Sequence, residues 1–263
     1  MEKQIFTECS GQAYEALDLV TPVRIRAGLL KIEKQFYIME AEEILKERLR
    51  LRDVYETIAD SWSHLRVRPL PEIFEFLNSI KKQGIVLDIG CSNCRNLVPF
   101  LERGFKCVGF DFSKGMIREA KKFLSKRGLS AHLLIADVLN LPFKENVFDY
   151  VIFTRVLHHL PTKKLRTETL KEIGKIVKKD GKILITVWRR YFPRFIIDFL
   201  SNIFEKKFEF GDVYKKWTYH GKVYKRFYHL YSKKEIEEEV IGANLKIKKF
   251  SCDDGNFILI CEP

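Results

Sequence analysis

No apolar run in the 263-residue sequence approaches the roughly 20 residues that a bilayer-spanning helix needs, so no membrane span is expected. The opening MEKQIFTECS is polar and charged, unlike a secretory leader. Disulfide-framework spacing is missing from the six cysteines: Cys9, Cys91, Cys94, Cys107, Cys252 and Cys261. Cys107 and Cys261 fall inside apolar runs that read as strands, so free thiols and a cytoplasmic location are expected. The pair Cys91-x-x-Cys94 lacks the second pair that a zinc site requires, and no metal is expected. Internal repeats, low-complexity tracts and a dinucleotide-type G-x-G-x-x-G are also missing. Acidic residues are in short supply. The 35 Asp and Glu face 47 Lys and Arg, for a net charge of +12. Such a field concentrates polyanions, although a lysine-rich solvated surface has the same composition.

What is present is ordinary for a folded domain: 46% hydrophobic and 31% charged residues, enough for one α/β domain plus an appendage. Residues 1–35 show weak periodicity interrupted by Pro22, and a helical pattern follows over 33–59. Pro71 suits a helix start, with Ile73, Phe76, Leu77 and Ile80 as its apolar stripe. Strand and helix then alternate. Strands are expected at 85–89, 106–111, 132–137, 148–154 and 182–188. Helices are expected at 97–102 (delayed by Pro99), from Ser113 to about 126, and at 167–178, stopped by Asp180-Gly181. Residues 189–228 form a basic, aromatic insertion with a short amphipathic helix, followed by a helix at 233–240 and a closing hairpin at 245–261. Apolar strands separated by helices imply a doubly wound parallel sheet, whose ligands bind at the carboxyl ends of its strands.

The most informative element is a strand ending at Asp88, a turn containing Gly90, and a second strand ending in Asp111. A short residue in the turn lets the backbone approach a ligand, and the second acid can accept both hydroxyls of a ribose. That geometry serves NAD and S-adenosylmethionine equally. The turn, however, reads D-I-G-C-S-N-C, and Asp137 closes the third strand ahead of Leu141-Pro142-Phe143. Acid, ribose acid and adenine-side acid in this order resemble class I methyltransferases.

The resemblance narrows with DVYETIAD (53–60), SHLR (63–66), DIGCSNCRNL (88–97), VLHHLPT (156–162), ITVW (185–188), DVYKKW (212–217), RFYHLY (226–231) and GNF (255–257). In that order, over about residues 50–260, they resemble the tRNA methyltransferases that esterify carboxymethyluridine at the wobble position. The resemblance implies a seven-stranded, mostly parallel sheet with one antiparallel strand. It also implies methyl transfer from S-adenosylmethionine to a uridine carboxylate, with the tRNA anticodon loop and a small zinc-binding activator protein as partners. It assigns Tyr55, Asp88, Gly90 and Cys91 to the cofactor, together with Asn93, Asp111, Asp137 and Val138. It assigns Arg66, His158, His159, Arg226, Tyr228 and His229 to catalysis, with His159 favoured over His158 as the substrate-side residue. Trp217 matches a family tryptophan that either stacks on a base or anchors the insertion. On this reading residues 51–263 are the methyltransferase domain and 1–50 a helical extension, of which 1–38 are either a mis-assigned start or a lineage-specific cap.

A uridine-borne carboxylate is already ionised at neutral pH, so it needs alignment and partial desolvation rather than a general base. Arg66 is the expected anion ligand. The family's turn is glycine-rich, whereas Ser92 and Cys94 stand here, each costing about 1 kcal/mol if φ is positive. Two other functions stay open at this stage: methylation of a quinone- or lipid-like small molecule, and a non-catalytic partner that keeps the fold.

Overall fold

The computed structural model describes residues 31–201, 208–253 and 255–263; the readings made for residues 1–30 lie outside them. A long helix, α1 (Lys31–His64), leads through a short loop to α2 (Pro71–Asn78), which has proline in its first turn. The alternating region follows as β1 (Ile85–Ile89), α3 (Val98–Glu102), β2 (Lys106–Asp111), α4 (Lys114–Ser125), β3 (His132–Ile135), β4 (Phe148–Thr154), α5 (Lys163–Ile176) and β5 (Val177–Trp188). The insertion contains α6 (Pro193–Ser201) and an antiparallel ladder of β6 (Asp212–Tyr219) with β7 (Lys222–His229). The chain closes with α7 (Lys233–Gly242), β8 (Lys246–Cys252) and β9 (Asn256–Glu262).

One seven-stranded sheet has the order β3-β2-β1-β4-β5-β9-β8, with β9 antiparallel to both neighbours. Alternate residues of each strand face opposite sides. Leu87, Val151 and Phe153 pack with Leu170 and Ile173 of α5 and Ile236 and Val240 of α7. Val86, Tyr150 and Ile152 pack with Ile73 and Phe76 of α2, Phe100 of α3, and Ile117 and Phe123 of α4. Each such large side chain contributes about 1.5–3 kcal/mol when fully buried, so the sheet and its two helical layers form a rigid base.

Three helices differ from the sequence pattern at their ends. The helix expected over 167–178 runs from Lys163 to Ile176, and Asp180-Gly181 lies inside β5 rather than ending the helix. The reason is a bulge: Phe148 pairs with Val177, but Tyr150 pairs with Lys182. Gly181 packs so tightly there that a Cβ would meet the Asp149 carbonyl oxygen at 2.8 Å, while Lys178 Nζ binds the Asp149 carboxylate at 2.9 Å. Helix α1 continues past the expected residue 59 to His64. Pro99 does not delay α3, because a 3₁₀ turn at Arg95–Leu97 leads directly into it.

Helix α1 is held across the carboxyl end of the sheet by its own acids. Glu56 Oε2 accepts from Ser113 Oγ at 2.8 Å and from Gly115 N at 2.7 Å, so a carboxylate of α1 caps the N-terminus of α4. A Cβ on Gly115 would lie 3.0 Å from that of Ala59, so the two helices cross in close contact there.

Candidate active site

At the carboxyl ends of β1, β2, β4 and β5 lies a cleft roofed by α1 and the β6–β7 ladder. Its first half is built by the turn after β1. Gly90 has φ +68°, and a Cβ there would meet Val156 Cγ2 at 2.4 Å. Ser92 and Cys94 also take positive φ, +50° and +62°, so these non-glycine residues carry the anticipated strain. Asp111, at the end of β2, accepts from Ser92 N and Ser113 N, each at 3.0 Å. One backbone donor per oxygen leaves carboxylate lone pairs for hydroxyl donors in the cleft. Burial raises the Asp111 carboxyl to about 6 against those hydrogen bonds. Asp137 and Val138 form the wall beyond it. The tight turn and the part-satisfied acid on the adjoining strand fit an adenosyl group.

Some sequence-predicted residues lie behind this wall. Asp88 is 1% exposed, and burial holds its carboxyl well above the usual range. The Asn93 amide donates to Ser63 Oγ at 3.1 Å and to the Arg66 carbonyl at 2.8 Å, tying the turn to the end of α1. Cys91 lines the cleft, and both it and Cys94 are free thiols packed in the core.

The second half surrounds the ends of β4 and β5. Tyr55, Arg66, His158, His159, Trp188 and Tyr228 all face it. His159 Nδ1 lies 2.7 Å from the Phe227 carbonyl and Nε2 lies 3.0 Å from the Tyr55 hydroxyl. A carbonyl only accepts, so Nδ1 carries the proton and Nε2 accepts from Tyr55. Burial pushes this imidazole down to about 3, so it is neutral. Tyr228 lies 3.4 Å from the Tyr55 hydroxyl and accepts from Arg226 Nη1 at 2.7 Å. A directed chain therefore runs from Arg226 through Tyr228, Tyr55 and His159 to Phe227, joining α1 to the inserted ladder.

Neither ring nitrogen of His159 is left for a ligand. His158 is the converse: fully buried beside the Arg155 backbone, with neither ring nitrogen in a well-formed hydrogen bond, and held well below its usual pKa by burial. Trp188 stacks between Tyr228 (4.3 Å, 10°) and Phe195 (4.6 Å, 22°), and its indole N–H is unpaired. Arg66 lies 3.5 Å over the Trp62 ring. Arg226 sits behind the cleft wall between Trp62 and Trp217, while Trp217 donates to Ser61 Oγ at 3.3 Å and anchors the ladder. His229 points away from the cleft into a 2.7 Å contact with Asp212.

The sequence reading omitted Arg48, Trp62, Arg95, Arg155 and Trp188 from the cleft. Arg48, Leu51, Tyr55, Ile58 and Trp62 recur at three- and four-residue spacing, so one helical stripe through Tyr55 would have found Arg48 and Trp62. Arg155 directly follows β4, at the strand end where ligands of such sheets bind.

The methyltransferase domain family matches residues 86–181. A putative methyltransferase of Encephalitozoon cuniculi is 30% identical over 192 residues, covering 70% of this chain and 81% of that protein. A tRNA (carboxymethyluridine(34)-5-O)-methyltransferase of Arabidopsis thaliana is 35% identical over 142 residues, 54% of this chain. The match spans only 33% of that plant protein's length. A crystal structure of a SAM-dependent methyltransferase from Methanosarcina mazei superposes with a TM-score of 0.64 at 19% identity, covering 74% of this chain and 98% of that one. The chain belongs to the methyltransferases, with the seven-stranded fold of the S-adenosylmethionine-dependent enzymes, and it is similar in sequence to tRNA carboxymethyluridine methyltransferases.

Proposed function

We propose that this protein methylates the carboxylate of a carboxymethyl-type uridine at the wobble position of tRNA, forming a methyl ester. The observation that carries the reading is Arg66, half-buried at the cleft on the face of Trp62, with no carboxylate in ion-pair range among the described residues. A guanidinium held there without a counterion suits an anionic acceptor. When bound, S-adenosylmethionine supplies a sulfonium methyl, which an acceptor oxygen takes as the carbon–sulfur bond breaks with its electrons left on sulfur, so no proton moves. Gly90, Cys91, Asp111, Asp137 and Val138 would hold the adenosyl end. His159 keeps Tyr55 and Tyr228 in place, consistent with a reaction that needs no base.

The basic composition supports tRNA as the carrier, and the relatives' names support the anticodon position. By the same resemblance, a small zinc-binding activator is a partner and the cytoplasm the site of action. Among the described residues no helix is long and apolar enough to cross a membrane.

Fluorescence anisotropy with an anticodon stem-loop bearing carboxymethyluridine tests this reading. Binding should weaken steeply with salt and fall further in Arg66→Gln. Salt-independent binding of the stem-loop, or none, would shift the reading to a small-molecule acceptor.

A further inference from the structure

Beyond Arg66, the cleft holds three more guanidiniums: that of Arg48, paired with Asp137, and those of Arg95 and Arg155. Among the described residues Arg66 and Arg95 have no carboxylate within ion-pair distance, with Glu72 and Asp88 acting on Arg95 from farther off, and Arg155 has only Glu72 within that distance, at 3.6 Å. Mutual repulsion adds to burial in pushing Arg95 down to about 10. Arg155 itself is strained: its φ is +59°, held by a 2.9 Å hydrogen bond from its N–H to the Thr186 carbonyl. Its Nε is buried without a well-formed hydrogen bond, as are both Glu72 oxygens (one of them in the long ion pair with Arg155), the ring nitrogens of His158 and the indole nitrogen of Trp188. Buried polar groups are nearly always satisfied, so a cluster of unsatisfied ones around a strained arginine points to a missing polar ligand.

We propose that Arg155 is the specificity-determining residue for the acceptor's negative charge, binding the substrate carboxylate and not its ester. This rests on the function proposed above. Besides Arg48, paired with Asp137, the cleft holds Arg66, Arg95 and Arg155, an excess of positive charge that suits two carboxylates at once, one from the cofactor's amino-acid end and one from the acceptor. The Arg155 side chain, 32% exposed and 3.6 Å from Glu72, is held loosely enough there to take the second. The adenosyl half lies at the ends of β1 and β2, and Arg155 lies beyond it at the end of β4, beside His158. Esterification removes the acceptor's charge, so the same residue that draws the acid in releases the product.

The test is binding of three anticodon stem-loops, identical except for carboxymethyl, methyl-ester or amide uridine at the wobble position. Affinity is measured with S-adenosylhomocysteine present, for the wild type, Arg155→Gln and Arg155→Lys. The wild type should prefer the acid to the ester by about tenfold or more, the size of a charge-assisted hydrogen bond. Arg155→Gln should reduce that preference below about twofold with S-adenosylhomocysteine affinity retained, and Arg155→Lys should keep a severalfold preference. If Arg155→Gln binds the homocysteine compound yet keeps the full preference, or weakens acid and ester equally, the inference is overturned. A wild type that forms no ester on tRNA would instead defeat the proposed function.

Discussion

The Tyr55 hydroxyl of α1 lies 3.0 Å from His159 Nε2, while His159 Nδ1 donates to the Phe227 carbonyl of β7 at 2.7 Å. One imidazole thus joins the roof helix, the sheet edge and the inserted ladder. Its nitrogens are occupied by protein, so its contribution is to position the residues around it.

His159→Gln should therefore cost stability more than it alters pH dependence of the rate. Folding depresses this imidazole from the ordinary His value to about 3. Below about pH 6.5 the unfolded chain takes up a proton that the folded chain refuses. The stability that wild-type His159 supplies is then complete above that pH. It declines by about 1.4 kcal/mol per unit as pH falls toward 3. Denaturant titrations should show the gap between wild type and His159→Gln narrowing from pH 7.5 to pH 5. A gap that widens on acidification would mean His159 is charged in the fold.

Arg48 of α1 is ion-paired with Asp137, the acid that the family resemblance assigns to the adenine, and the Asp137 side chain remains 43% exposed. On that assignment an adenine amine and Arg48 would compete for one carboxylate. A part-exposed pair of this kind is worth about 1 kcal/mol or less. Arg48→Ala should accordingly tighten S-adenosylhomocysteine binding by up to about fivefold in calorimetry. Weaker binding would show that Arg48 supports the ligand instead.

The turn after β1 offers a clean comparison. Ser92 and Cys94 both have positive φ, but Ser92 is partly exposed whereas Cys94 is wholly buried. Ser92→Gly should raise stability by about 1 kcal/mol through relief of left-handed strain. Cys94→Gly should gain nothing, because the lost packing offsets the relief. Thermal melts that rank the two the other way would contradict this assignment.

Much of the frame was legible because strand periodicity and the Gly90 turn are local signals. The β6–β7 ladder was not recognised, since residues 189–228 read only as basic and aromatic. Its turn did carry a mark: His220-Gly221, with φ +47° and +70°, is a two-residue connection of the kind that favours glycine. The half of the cleft built by the turn after β1 was readable from Gly90 and Asp111. Arg66, His158, His159 and Tyr228 were readable in the other half, whereas Arg95 and Arg155 were not, because they converge only through the sheet. His158 and His159 are neighbours in sequence, but only tertiary packing shows that the second is fully bonded and the first is not.

A buried ion pair supports the loop beyond these histidines. Arg166, 1% exposed, binds Glu239 at 2.7 Å and the Leu160 and Pro161 carbonyls at 3.3 Å. Arg166→Ala should destabilise the protein by about 3–5 kcal/mol, because it leaves the Glu239 carboxylate buried without its partner. Chemical denaturation giving less than about 1 kcal/mol would show the pair to be solvated.

The most direct test of the central claim is methyl transfer from labelled S-adenosylmethionine to tRNA, with and without a zinc-binding activator, followed by nucleoside analysis. The account predicts an alkali-labile methyl ester on the wobble uridine, lost in Arg66→Gln. Absence of label from tRNA by a protein that still binds S-adenosylhomocysteine would contradict it.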